Sequence, residues 1–172
     1  ANKIIEKISH GLQGELIIPG DKSVSHRSVM FAALGDTPVH ITNFLPSADC
    51  LSTAGVMQAL GAQVDFLGPT ELIVKGNGLH GLKEPATVLD AGNSGTTLRL
   101  MMGMLAPQKF VSVFTGDSSL HKRPMGRVIK PLSMMGANIV GRAENTRLPI
   151  TIVPTTKALE VLPYDMPVAS AR

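Results

Sequence analysis

A chain of 172 residues with 44% hydrophobic and 17% charged side chains is the length of one domain and can bury a core, which excludes a disordered segment. A net charge of +3, scattered lysines and arginines, one tyrosine and no tryptophan leave neither a basic track nor a base-stacking surface, so no nucleic acid is expected as a partner. Cys50 stands alone, the opening Ala1-Asn2-Lys3-Ile4-Ile5-Glu6-Lys7 lacks the apolar core of a signal peptide, and no run approaches the roughly 20 apolar residues that span a bilayer. These features predict a soluble cytoplasmic protein with no membrane partner.

In chain order, Leu16-Ile17-Ile18-Pro19-Gly20 reads as a β run that opens through Asp21 into a helix reaching about Leu34, with Gly35 as its C-cap. Residues 39–44 read as a strand. A polar turn containing Asp49 follows, then a helix ending in Ala59-Leu60-Gly61-Ala62. Two β runs, 63–66 and 71–75, are joined through Gly68-Pro69. The same order returns about 72 residues later. Its parts are the run 88–92, a helix to about Ala106 before Pro107, and a strand over 111–116. A turn containing Asp117, a helix ending in Met134-Met135-Gly136-Ala137, and β runs 138–141 and 148–153 around Glu144-Asn145 complete it.

The repeat predicts an α/β fold of β-α-β-α-β-β units, each about 70 residues long, with right-handed crossovers. Unit one covers about 14–76 and unit two about 86–154. Residues 164–172 resemble the entry to a third unit, so the predicted domain is incomplete. The methionines of the helical runs, Met101, Met102, Met104, Met134 and Met135, are expected core fillers.

Each repeat carries a glycine-bearing turn at a helix start, where unpaired N–H groups and the helix dipole favour an anion. At the first, Lys22 sits at the mouth, and Ser23 and Arg27, four residues apart, share a face; together they offer an ammonium, a hydroxyl and a guanidinium to a phosphate. A nucleotide P-loop is excluded, because Asp21 separates Gly20 from Lys22 and Glu15 occupies the first glycine position. The second mouth is Asn93-Ser94-Gly95-Thr96-Thr97, where Gly95 lets a ligand approach the backbone. Arg99, one turn inside, reads as a residue that packs or pairs structurally. Before the next helix, Arg123 and Arg127 are again four apart, with Pro124 placed in the first turn. The five histidines and one cysteine show no metal-ligand spacing, so no metal site is expected. Each mouth can equally be read as an ordinary capped, solvated helix start.

Four segments in order and register resemble the enolpyruvyl transferase family. They are Gly20-Asp21-Lys22-Ser23-Val24-Ser25-His26-Arg27, Gly92-Asn93-Ser94-Gly95-Thr96-Thr97-Leu98-Arg99, Arg123-Pro124-Met125 and Val168-Ala169-Ser170-Ala171. The resemblance implies an inside-out α/β barrel type domain, part of an N-terminal domain whose C-terminal partner domain is absent from this chain. It implies shikimate 3-phosphate and phosphoenolpyruvate as substrates, and no cofactor. Carried over residue by residue, Lys22, Ser23, Arg27, Ser170 and Ala171 would hold shikimate 3-phosphate. Lys22, Asn93, Gly95 and Arg123 would hold phosphoenolpyruvate, with Lys22 catalytic. Gly95 is also where the herbicide glyphosate would need room. Arg172 stands where the family has glutamine. Two rival readings are the sister transferase acting on UDP-N-acetylglucosamine and a non-catalytic anion-binding or assembly module. The sister family carries a cysteine near the Arg-Pro segment, where this chain has Met125.

Overall fold

The computed structural model describes residues 3, 4, 10, 11 and 13–165. Ser170 and Ala171, and with them residues 166–172 of the predicted third unit, lie outside the described residues. Four main helices form: α1 (Lys22–Ala33), α2 (Ala48–Ala59), α3 (Gly95–Leu105) and α4 (Gly126–Met134). The strands are β1 (Val39–Ile41), β2 (Gln63–Gly68), β3 (Glu71–Lys75), β4 (Leu89–Asp90), β5 (Ser112–Thr115), β6 (Asn138–Gly141) and β7 (Arg147–Val153).

Helix α1 starts at Asp21, whose carboxylate accepts from the Val24 N–H at 2.8 Å. Ser25, His26, Val29, Met30 and Ala33 recur at helical spacing and form its buried face. Helices α2 and α4 end identically. Gly61 and Gly136 adopt φ of 96° and 100°. Their N–H groups bond Gln58 O and Ser133 O, while Ala62 and Ala137 reach back to Met57 O and Leu132 O. This is the left-handed glycine cap that satisfies two helix-end carbonyls, and its recurrence is the repeat expressed as geometry. Gly35 is not such a cap. Its N–H does bond Ala32 O at 3.1 Å at the end of α1, but without the positive φ, and its own carbonyl accepts from Gly78 N at 3.0 Å.

The first sheet is antiparallel in the order β1-β3-β2. The second has the order β4-β5-β7-β6, with β4 parallel to β5 and the other pairs antiparallel. The repeat predicts an equivalent of β4 at residues 16–20, but that stretch makes no ladder among the described residues. Asn43 has φ of 53°, which ends β1 at Ile41 rather than at Phe44 and removes the edge a parallel partner would need. The run is tethered instead by Asn43 Nδ2 donating to Ile18 O at 3.4 Å. The turn between β6 and β7 places Ala143, Glu144 and Asn145 at positive φ, and the Asn145 side chain accepts from Gly141 N at 2.9 Å.

Helices pack consecutively, α1 on α2, α2 on α3 and α3 on α4. Val29, Met30, Met57, Leu60, Leu72 and Val74 lie under the first sheet, and Met101, Met102, Leu105, Phe114, Ile150 and Ile152 under the second, in one continuous core. Each such side chain contributes about 1.5–3 kcal/mol on burial. Met134 departs from the expected core role: it is 54% exposed, at the end of α4. Leu16, Ile17, Ile18, Val24 and Phe31 are also exposed, leaving an apolar face uncovered along α1. Among the described residues no helix is long and apolar enough to cross a membrane.

Candidate functional site

Lys22, Ser23 and Arg27 lie on the exposed face of α1. Asp21 uses its carboxylate on Val24 N and its carbonyl on Ser25 N. The first N–H groups of the helix, those of Lys22 and Ser23, have no intrahelical acceptor. The Lys22 ammonium pairs with the Asp49 carboxylate on the first turn of α2. Ser25, on the opposite side, donates to Asp21 O and accepts from Leu45 N at 3.0 Å, pinning the mouth to the segment before α2. Gly20 is required by close approach: a Cβ there would collide with the Asn43 carbonyl.

The second mouth is capped by Ser94, whose hydroxyl accepts from Thr97 N at 3.1 Å. Gly92 turns at φ of 54°, and its N–H donates to Asp90 Oδ1 at 2.8 Å. Gly95 does not keep its N–H free; it donates to Asn93 O at 3.1 Å. The Asn93 side chain joins two groups. Its Oδ1 accepts from Arg123 Nη2 at 2.6 Å, and its Nδ2 donates to Asp117 Oδ2 at 2.6 Å. The hydrogen bond from Asn93, helped by the Leu120 N–H, holds the Asp117 carboxyl below the usual carboxylate range. Asn93 and Arg123, assigned to one ligand by the resemblance, are therefore in direct contact.

Arg123 and Arg127 do not share a helix. Pro124 confines Arg123 to extended backbone, with ψ of 133°, and α4 begins only at Gly126 after the buried Met125. Both cations nevertheless lie close to Arg99. Its guanidinium is half-buried, and its pKa is pushed down by desolvation and by Arg127 and Arg123. A Cβ on Gly95 would overlap Arg99 Nη1 and lie 3.4 Å from Arg123 Nη1. No acid pairs with Arg99, Arg123 or Arg127 among the described residues. Three guanidinium groups beside a glycine helix start, with the Asp117 carboxylate acting on Arg123 across Asn93 but paired directly with none of them, form an anion cradle. Sequence spacing gave Arg99 to packing or structural pairing because nothing local signals that a distant loop brings two more arginines to it.

Asp49 was legible only as a turn residue, yet it joins the two mouths. Its carboxylate holds Lys22, and its carbonyl accepts from Thr97 Oγ1 at 3.4 Å. Asp117 takes the corresponding place in the second repeat, against Asn93. Beneath them runs a buried chain: His26 Nδ1 to Thr53 Oγ1 at 2.6 Å, Thr53 Oγ1 to Thr97 Oγ1 at 2.7 Å, and Thr97 Oγ1 to Ser94 Oγ at 2.7 Å. All four residues are buried.

Burial pushes the His26 pKa down; Asp49 opposes the shift and Lys22 adds to it. The unfolded chain therefore binds this proton more readily than the folded one. The expected result is stability that is complete above about pH 6.5 and falls as pH drops from there toward the lower folded-state value. His26→Asn removes that component. Urea midpoints of both proteins across this range check it, and parallel pH profiles would contradict it.

A cleft of about 640 Å³ lies at the far ends of α1 and α3, lined by Leu34, Leu82, Met104, Phe110 and Leu159 among others. It contains none of the candidate residues, which instead occupy an open wall at the helix mouths.

The family model described as EPSP synthase (3-phosphoshikimate 1-carboxyvinyltransferase) matches residues 6–172. A 3-phosphoshikimate 1-carboxyvinyltransferase of Thermodesulfovibrio yellowstonii is 51% identical over 171 residues, 99% of this chain and 39% of that protein. The enzyme of the same name from Chloroflexus aurantiacus is 52% identical over 161 residues, 94% of this chain and 37% of that one. The solved structure of an EPSP synthase from Acinetobacter baumannii superposes with a TM-score of 0.87 at 47% identity, covering 92% of this chain and 36% of that chain. The chain spans about two fifths of the length of the relatives it matches.

Proposed function

The chain belongs to the EPSP synthase family, and from that premise we propose that it forms one wall of an active site holding shikimate 3-phosphate at α1 and phosphoenolpyruvate at α3. The observation that carries this reading is the bridge made by Asp49, which brings Lys22 beside the α3 mouth. Lys22, Ser23 and Arg27 supply an ammonium, a hydroxyl, a guanidinium and two helix N–H groups to the shikimate phosphate. Arg123, held by Asn93, receives the anionic groups of phosphoenolpyruvate at Gly95, where the Arg99 and Arg123 guanidinium groups close over the start of α3. Ser170 and Ala171 complete the shikimate 3-phosphate site from the start of a third unit, following units at about 14–76 and 86–154.

In this reading the 5-hydroxyl of shikimate 3-phosphate adds to C2 of phosphoenolpyruvate, whose C3 takes a proton. The tetrahedral adduct then loses phosphate and a C3 proton, leaving the enolpyruvyl ether. Lys22 lies between the two mouths and is the group placed to touch both substrates. About three fifths of the relatives' length lies outside the part that this chain matches. That remainder supplies the opposing wall and the groups that move the protons, because general acid–base catalysis requires them within hydrogen-bond reach. The setting is cytoplasmic, consistent with the free, buried thiol of Cys50.

The test is phosphate release from phosphoenolpyruvate and shikimate 3-phosphate. The chain alone is expected to bind shikimate 3-phosphate weakly without turnover, and to turn over when mixed with the C-terminal portion of a relative. Turnover by the chain alone would contradict the requirement for a second wall. Release with UDP-N-acetylglucosamine but not with shikimate 3-phosphate would overturn the substrate assignment.

A further inference from the structure

The buried chain beneath the two mouths has a direction. A hydroxyl has one proton to give. Thr97 Oγ1 gives its proton to Ser94 Oγ at 2.7 Å, with Asp49 O at 3.4 Å as its second acceptor. Thr97 must therefore accept from Thr53, at 2.7 Å. Thr53 has then spent its own proton and must accept from His26 Nδ1, at 2.6 Å. The neutral imidazole is thereby fixed as the Nδ1–H tautomer, with a bare lone pair on Nε2. That nitrogen is enclosed and has no partner among the described residues. A bare acceptor there is the less demanding arrangement, since orphaned buried N–H groups are the rarer case.

We propose that His26 is a positioning residue whose Nδ1–H starts a one-way hydroxyl chain, through Thr53 and Thr97 to Ser94, that sets the mouths of α1, α2 and α3 relative to one another. The chain links the middle of the α1 buried face to the cap of α3 by way of α2. An enclosed relay of this kind is rigid, because a slip of Thr53 or Thr97 breaks hydrogen bonds on both of its sides and takes from the His26 ring the acceptor of its Nδ1–H. Burial keeps the ring uncharged against the nearby Asp49, with Lys22 acting in the same sense. The effect on ligands rests on the function proposed above; the tautomer does not.

Two measurements decide it. Nitrogen-15 spectra of the wild-type chain should show His26 protonated at Nδ1 and bare at Nε2, unchanged across the neutral pH range. Protonation at Nε2, or at both nitrogens at neutral pH, overturns the proposal. Asparagine places an amide where Nδ1 sits, whereas glutamine reaches the Nε2 position. His26→Asn should therefore leave the Thr53 and Thr97 amide resonances close to wild type, while His26→Gln displaces them. With shikimate 3-phosphate as probe, His26→Gln should weaken binding about tenfold and His26→Asn by much less. Equal effects of the two substitutions on the Thr97 amide overturn the relay. If the wild-type chain fails to bind shikimate 3-phosphate, the functional reading fails, and the tautomer and amide results still decide the relay.

Discussion

Lys22→Ala is expected to weaken shikimate 3-phosphate binding by roughly 10- to 150-fold, the equivalent of the 1.5–3 kcal/mol typical of a hydrogen bond to a charged group. Two losses combine. The phosphate loses a charge-assisted donor at the helix mouth. The Asp49 carboxylate, which Lys22 engages, is left as an unneutralised negative charge facing an anionic ligand. Lys22→Ala with Asp49→Asn should therefore bind better than Lys22→Ala alone, and the full cycle with Asp49→Asn alone gives the coupling between the two groups. Folding should change little, since Lys22 is an exposed residue and surface pairs contribute modestly. Titration with shikimate 3-phosphate beside urea melts separates the two effects. Unchanged affinity in Lys22→Ala would remove α1 from the site.

Gly95→Ala is expected to leave the fold close to wild type and to weaken phosphoenolpyruvate binding by roughly 10- to 100-fold, measured with shikimate 3-phosphate present. The new methyl overlaps the Arg99 guanidinium and presses on that of Arg123. Both are ends of flexible side chains and can move aside, and alanine is the better helix former by about 1 kcal/mol. The displacement falls on the groups that form the anion cradle. A urea midpoint near wild type with reduced affinity is the expected pair of results. Unchanged affinity would show that the guanidinium groups do not define the anion position.

The repeat made most of the fold readable, because helix caps and turns follow local rules. The glycine ends of α2 and α4 fall where Leu60-Gly61-Ala62 and Met135-Gly136-Ala137 place them. Residues 16–20 failed as a strand because pairing depends on a neighbour, and Asn43 ends that neighbour early. Lys22, Ser23, Arg27, Asn93 and Gly95 were legible because each sits at a helix start with its own local chemistry. Arg99, Asp49 and Thr53 were not, since their roles come from contacts between units far apart in sequence. The four-residue spacing of Arg123 and Arg127 does not put them on one helix face, because Pro124 holds the Arg123 backbone extended and α4 starts only at Gly126.

The central claim is that the helix mouths, and not the apolar cleft at the other end of the helices, receive the anionic substrate. Adding shikimate 3-phosphate to the isotope-labelled chain, and following every backbone amide, tests it directly. The largest shifts are expected on Lys22, Ser23 and Arg27, with smaller ones at Asp49 and Thr97. Shifts confined to Leu34, Leu82, Met104 and Leu159 around the far cleft, or no shifts at saturating ligand, would contradict it.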